Sequence, residues 1–435
     1  MERMMNHKLS VSINNQPTGI LSFNGIDDIY SFRYEEKWIN NNGFNISPHI
    51  TPEINDSDKI KRFLSNLLPE GRWLEELSFN NQVSKSNIFG LIAILGNETS
   101  GALTYKSEDN NQETQTAFRL IPETELKKRI KERDRLSIAT WDGKQRLSIA
   151  GMQEKLPVMI QPDGLYGFGE GDLASTHIMK FNGISEAHMV INEFICMKLA
   201  EKIKIPAAAV SLVRFEEPVL LVERFDREWN NNKVRRIHCI DGCQILDLPP
   251  SYKYERPFGS SGHAGNIRTG ASLKKLFEAA DLCSVPARSR MDLLNRTLYQ
   301  LIIGNCDAHG KNITFFISEK GVEIAPAYDM LNVDIYGTLF DNELAMAIGD
   351  EFSINKIRAS HIAEFCEENG LKQRLVAKTL SRLCDAVSDH LENFEEIDAI
   401  KNIDEKDFAI EVIEDIKHNA LFFKDISKEL PGIVL

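Results

Sequence analysis

Strand-type and helix-type patterns are segregated along this 435-residue chain, and that segregation limits the folds open to it. Short alternating runs fill the first fifty residues, at 9–13, 19–23 and 29–32, with Asn14-Asn15 and Asn24-Gly25 between them. Asn-Gly flanked by such runs marks a hairpin, so a small antiparallel sheet is expected there. The last hundred residues instead carry apolar side chains at helical spacing over about 354–368, 372–391 and 405–421. Strands gathered in one part and helices in another imply an α+β chain rather than alternating parallel units. The length fits two or three domains.

The middle of the chain reads in the same way. Ser57 and Asp58 are placed to cap a helix over 59–68, with further helical runs at 73–77, 86–95 and 124–133. A strand is expected at 101–105 and a solvated loop over the polar tract 106–116. Strands follow at 156–160 and 176–181, the second with Lys180 near its end. Ser185 and Glu186 are expected to open a long helix containing Glu193, ahead of a strand pair at 209–215 and 219–225. The Gly- and Ser-rich stretch 255–270 reads as a mobile surface loop, and an amphipathic helix follows at 273–282. These patterns divide the chain into an N-terminal extension (1–140), a core (141–228) and a helical lobe (229–435).

One polar segment carries chemistry. A helix beginning at Pro286 delivers the chain into Gly304-Asn305-Cys306-Asp307-Ala308-His309-Gly310-Lys311-Asn312, and the β-type run 313–317 leads it away. Phosphoryl transfer needs a carboxylate to take the acceptor hydroxyl's proton, with an Asn and a second Asp to hold magnesium against the phosphates. Asp307 and Asn312 are five apart, as in the catalytic loop of protein kinases, and Asp329 stands seventeen residues on, in Tyr-Asp-Met rather than Asp-Phe-Gly. An Asx-rich segment between a helix and a strand can equally be a capped turn. Lys180 could pair nucleotide phosphates and Glu193 or Glu186 could pair Lys180, although each is also a common kind of surface residue.

Composition narrows the classes. The net charge of −13 argues against strong stand-alone binding to nucleic acid, where clustered Lys and Arg neutralise phosphates. No run of 18 apolar residues and no signal-peptide pattern is present, so a cytoplasmic protein without a membrane anchor is expected. Seven scattered cysteines agree with a reducing compartment, and His238-Cys239 with Cys243 lacks the second ligand pair of a zinc site. The absence of Gly-x-x-x-x-Gly-Lys-Ser/Thr speaks against a P-loop ATPase.

Nearly the whole chain resembles the HipA family of serine/threonine kinases, toxins of HipA–HipB toxin–antitoxin pairs. The resemblance rests on 146–155, Lys180-Phe181, Glu223-Arg224-Phe225-Asp226-Arg227, Cys243-Gln244, 248–251, Lys253-Tyr254-Glu255, 305–312 and 326–329 taken together. It implies a protein-kinase-like two-lobe fold with a mixed α/β N-terminal extension and an all-helical C-lobe. It implies Asp307 as catalytic base, Asn312 and Asp329 as magnesium ligands, and Lys180 on the phosphates of ATP. Ala150, Gly151, Met152, Gln153, Glu154 and Lys155 would form a phosphate-side loop, and Glu223 with Phe225 an adenine hinge. Gln244, His309 and Lys311 would border the nucleotide, and Ser148 matches the family's autophosphorylated serine, with Arg146 and Lys155 the nearest cations to a phosphate there. The family implies a helix-turn-helix antitoxin dimer as partner, operator DNA reached mainly through it, and a translation component such as an aminoacyl-tRNA synthetase as substrate. A small-molecule kinase of the same fold or a catalytically silent co-repressor would share much of this sequence.

Overall fold

Asn14 and Asn15 both adopt positive φ, and their turn folds β1 (Asn6–Ile13) back on β2 (Gln16–Asn24). β3 (Ile29–Tyr34) pairs with β2, and a later strand, β4 (Leu103–Ser107), pairs antiparallel with the free edge of β1, giving the order β3-β2-β1-β4. In this computed structural model the residues described are 6–96, 98–107, 115–133, 135–146, 153–183, 188–230, 232–339 and 342–435. By packing they form two units. One is Met1–Phe181 with Val213–Pro250 and Phe315–Val322; the other is Asn182–Leu212 with Ser251–Thr314 and Glu323–Leu435.

In the first unit, the short helix α1 (Glu36–Asn40) is followed by α2 (Ser57–Ser65), α3 (Gly71–Asn81) and α4 (Ile88–Leu95). The cap of α2 differs from expectation. Asp56 Oδ1 accepts from Asp58 N at 2.9 Å and Lys59 N at 3.1 Å, because a capping side chain reaches the second and third amides beyond itself. Ser57 Oγ instead accepts from Tyr30 N, stapling the helix to β3.

A second sheet holds the core of this unit. Its strands β5 (Ala117–Leu120), β6 (Lys155–Ile160), β7 (Tyr166–Glu170), β8 (His177–Lys180), β9 (Val210–Phe215) and β10 (Glu217–Glu223) lie in the order β9-β10-β8-β6-β7-β5. β6 is buried along almost its whole length, as a central strand covered on both faces must be. Leu156, Val158, Met179, Phe181, Val219 and Leu221 pack with Trp73 and Trp141 and with Leu126 and Ile130 of α5 (Glu123–Lys131). Each such side chain contributes about 1.5–3 kcal/mol by leaving water.

His238, also in this unit, is buried, with its Nε2 bonded to Ile46 O at 2.8 Å and its ring stacked on Phe44. Burial pulls its pKa down to about 4, although the Ile46 carbonyl acts the other way. Between that value and the unfolded pKa the unfolded chain binds the extra proton, so folding stability falls as pH drops. Lowering the pH from 6.5 to 5 is expected to cost about 2 kcal/mol through this residue. Urea midpoints at the two pH values should separate less in a His238→Gln protein than in wild type.

The second unit is mainly helical. Its helices are α6 (Met189–Lys202), α7 (Leu273–Ala280), α8 (Pro286–Ile302), α9 (Ala359–Glu368), α10 (Gln373–Glu392) and α11 (Ile403–Glu429). It also carries a hairpin, Glu343–Ile348 with Glu351–Ser353. Ten of the fourteen residues of α6 are buried, Glu193 among them; Ser185 and Glu186 lie outside the described residues. α11 runs eight residues past the expected end at 421, because Phe423 and Ile426 continue its buried face. Among the described residues no helix is long and apolar enough to cross a membrane.

Candidate active site

α8 starts with Pro at its first turn, where the missing N–H costs nothing, and buries Leu293, Leu294, Leu298, Tyr299 and Leu301. Tyr299 donates from its hydroxyl to Cys196 O in α6 at 2.6 Å, which fixes the helix within its unit. The chain then reverses at Gly304, φ 73°, where Gly304 N reaches Leu301 O and Asn305 N reaches Gln300 O. A Cβ at Gly304 would stand 2.8 Å from Asn332 Oδ1, so this turn requires glycine twice over.

Asn305 organises the loop beyond this turn. It is 1% exposed; its Oδ1 accepts from Asp307 N at 3.1 Å, and its Nδ2 donates to Gln300 Oε1 at 2.8 Å and to Asp329 O at 3.4 Å. One buried amide therefore links the Asp307 loop to the backbone of the second aspartate. Asn312 Nδ2 donates to Asp307 O at 3.2 Å, which leaves Asn312 Oδ1 without a protein donor among the described residues. That oxygen, with the Asp329 carboxylate, is the hard donor type that magnesium takes. Asp307 is exposed, and Asn312 and Asp329 are half-buried.

Asp329 has φ 58°, left-handed backbone that a non-glycine residue adopts at a cost and that concentrates at functional sites. Its segment is tied down on both sides. Ala327 N donates to Pro206 O and Ala208 N to Ala327 O, both at 2.8 Å. Arg296 of α8, fully buried, donates to Ala325 O, and Tyr328 Oη donates to Lys311 O at 2.6 Å. Lys311 and His309 are themselves buried within the loop.

The stretch 255–270 lies mostly at the surface, as expected, but Glu255 and Arg268 anchor its ends. Glu255 is 3% exposed; its Oε2 accepts from Ala347 N at 2.8 Å and its Oε1 from Arg268 Nε at 2.6 Å. A Gly- and Ser-rich composition says nothing of such anchors, which come from a distant hairpin. Just before it, Tyr254 donates from its hydroxyl to Asp307 Oδ1 at 2.8 Å. Tyr254 and Asn305 both lie in motifs that carry the family resemblance, but the sequence assigns neither a role of its own.

In the first unit, Lys180 of β8 stands directly opposite Lys155 of β6 in the antiparallel register, and both are buried. Directly opposed residues share a sheet face, so the two lysine side chains leave the sheet on the same side. Gln153 Nε2 donates to Phe181 O at 3.2 Å. Glu154 is held by Arg133 at 2.9 Å and Arg72 at 3.3 Å, so its carboxylate serves as a structural anchor before β6. Ser148, Ala150, Gly151 and Met152 lie outside the described residues. Arg146, a candidate partner of a phosphate on Ser148, packs over the Phe168 ring and bonds Glu170 at 3.1 Å. Glu223 is exposed opposite His177, and Phe225 is half-buried, edge-on to Phe316. Gln244 closes a capping box with Asp241 on the one-turn helix Gly242–Ile245 and donates to Phe63 O at 3.0 Å, so its amide is committed inside this unit.

Comparison with known families settles the relationship. Residues 9–106 match the HipA N-terminal domain, and residues 147–391, more than half of the chain, match the HipA-like C-terminal domain. The chain belongs to the HipA family. It is 39% identical over 379 residues to the serine/threonine-protein kinase toxin HipA of Shewanella oneidensis, covering 86% of each. It also matches the solved Shewanella oneidensis structure of HipA with HipB and its operator DNA, at 35% identity and a TM-score of 0.89 over 98% of this chain and all of that one.

In this HipA-family chain the motif Glu223-Arg224-Phe225-Asp226-Arg227 has a structural half. Asp226 accepts from Arg224 at 2.9 and 2.8 Å and from Arg227 at 2.7 Å, and all three are buried. Gly101 N also donates to Asp226 Oδ2, and Arg227 donates to Gly101 O and Thr99 O. Burial alone would raise the Asp226 pKa, but the two guanidiniums hold it well below the usual carboxylate range. The cluster bolts the end of β10 to the chain just ahead of β4.

Proposed function

We propose that this protein is an ATP-dependent serine/threonine protein kinase that acts as the toxin of a toxin–antitoxin pair. The observation that carries the reading is the Asp307–Asn312 loop joined through Asn305 to Asp329, in a chain of the HipA family. In this reading the acceptor's O–H bond breaks and its proton passes to the Asp307 carboxylate. The acceptor oxygen then bonds to the γ-phosphorus, and the bond from that phosphorus to the β–γ bridging oxygen breaks, releasing ADP. Asn312 and Asp329 would hold magnesium, which offsets charge on the phosphates. Lys180 and Lys155 would meet phosphate oxygens, while 150–154 cover them and Glu223 with Phe225 meets adenine. His309, Lys311 and Gln244 would act by shaping the loop and hinge rather than by direct contact, since the first two are buried in the loop and the Gln244 amide is already committed.

The finer parts belong to the same proposal. Ser148 is the autophosphorylated residue, a helix-turn-helix antitoxin dimer is the partner, and operator DNA is reached mainly through that dimer. The target is a component of translation such as an aminoacyl-tRNA synthetase, and the protein works in the cytoplasm. The segments 1–140, 141–228 and 229–435 divide these roles into extension, nucleotide core and catalytic lobe. The test is incubation with magnesium and γ-labelled ATP, with and without an Asp307→Asn control, after phosphatase treatment of the purified protein. Label that maps to Ser148 in the wild type alone is expected. Magnesium-dependent turnover of ATP with no labelled protein would favour a small-molecule kinase, and no turnover would favour a silent co-repressor.

A further inference from the structure

We infer that Tyr254 is a positioning residue for the catalytic base, holding the Asp307 carboxylate at one oxygen so that it meets the acceptor hydroxyl in a fixed orientation. The inference rests on the kinase reading above and adds a residue to it. Its basis is a closed ring of hydrogen bonds within the second unit. Tyr254 donates to Asp307 Oδ1 at 2.8 Å; Glu255 N donates to Ala345 O at 2.9 Å; Ala345 N donates to Cys306 O at 2.8 Å, next to Asp307. A second strut runs from Gly310 N to Lys253 O at 2.9 Å. Tyr254 is thus stitched to both sides of the loop whose base it touches.

The tyrosine's own place is fixed from behind. Its neighbour Glu255 is buried between Ala347 N and Arg268, and Arg268 also pairs with Asp350. Gly270 passes so close that a Cβ there would stand 1.8 Å from Tyr254 O. The Tyr254 ring meets His309 edge-on, with centroids 5.3 Å apart at 88°. With the backbone on either side anchored and the ring set against His309, the side chain needs little further ordering to orient a carboxylate.

The same geometry has a rival meaning. A hydroxyl at hydrogen-bond distance from the base stands as an acceptor would, so Tyr254 could itself be phosphorylated or block acceptors. The rigid stitching favours positioning, since an acceptor must reach the phosphorus and leave again. The two readings predict opposite rates.

The experiment is the pH dependence of phosphate transfer in wild type and in Tyr254→Phe, with the thermal midpoint read on the same samples. In the variant, kcat is expected to fall about tenfold, with KM for ATP within about twofold and the thermal midpoint near that of wild type. A merely structural role would lower the thermal midpoint and would not split kcat from KM in this way. A second variant carries 3-fluorotyrosine at position 254 through a reassigned codon; it keeps the fold and the donor but makes the hydroxyl more acidic. Its basic limb is expected to move to lower pH, because an ionised phenol no longer donates and repels Asp307. An unchanged kcat in Tyr254→Phe or an unmoved basic limb in the fluorotyrosine variant overturns the inference, as does a faster Tyr254→Phe or phosphotyrosine mapped to position 254. A wild type that transfers no phosphate overturns the kinase reading instead and takes this inference with it.

Discussion

Replacing Asp307 by Asn lowers phosphate transfer about 10²- to 10⁴-fold, the usual share of a positioned general base. The amide is nearly the same size and cannot take the acceptor's proton. Asp307 is exposed, and Asn keeps an oxygen that can accept from Tyr254, so the thermal midpoint should stay within about 2 °C of wild type. ATP affinity should change little, because the base acts on the acceptor rather than on the nucleotide. The measurement is single-turnover transfer from labelled ATP beside a binding titration. A variant that binds ATP normally and transfers phosphate at the wild-type rate would remove Asp307 from the chemistry.

The largest effect on stability is expected at Asp226. Truncation to Ala leaves Arg224 and Arg227 as two buried cations facing each other without their shared carboxylate. Breaking a buried pair from one side typically costs about 3–5 kcal/mol, because the partner's charge stays buried and unpaired. The loss should appear in the first unit, where the cluster joins the end of β10 to Thr99 and Gly101. In chemical denaturation the midpoint should drop with the slope unchanged, and a loss below about 1 kcal/mol would show that the cluster is a weak anchor. Asp226→Asn should cost less, since its amide oxygen can still accept from one guanidinium.

Much of the plan was legible along the chain. Turn residues at 14–15 and the alternation at 9–34 placed the first three strands, and the periodic runs after 354 placed three helices. These are local signals: a turn or an amphipathic face is decided by residues within a few positions of one another. The spacing of Asp307, Asn312 and Asp329 was readable for the same reason, because the three lie within 23 residues of one another. The cap of α2 was missed by one residue, which is the usual error at a helix end.

By itself, the sequence determined the α+β order of elements, the acid–amide–acid set and the family motifs that run through both units. Only the tertiary structure decided which neighbours those groups have. It set Tyr254 on Asp307, Asn305 between the loop and Asp329, Glu255 under a distant hairpin, Lys180 opposite Lys155, and Asp226 against the Thr99–Gly101 segment. Those pairings span from about 24 to more than 100 residues of chain. The physical reason is that a hydrogen bond depends on angstroms in space, and no pattern of nearby residues records where a distant strand will lie.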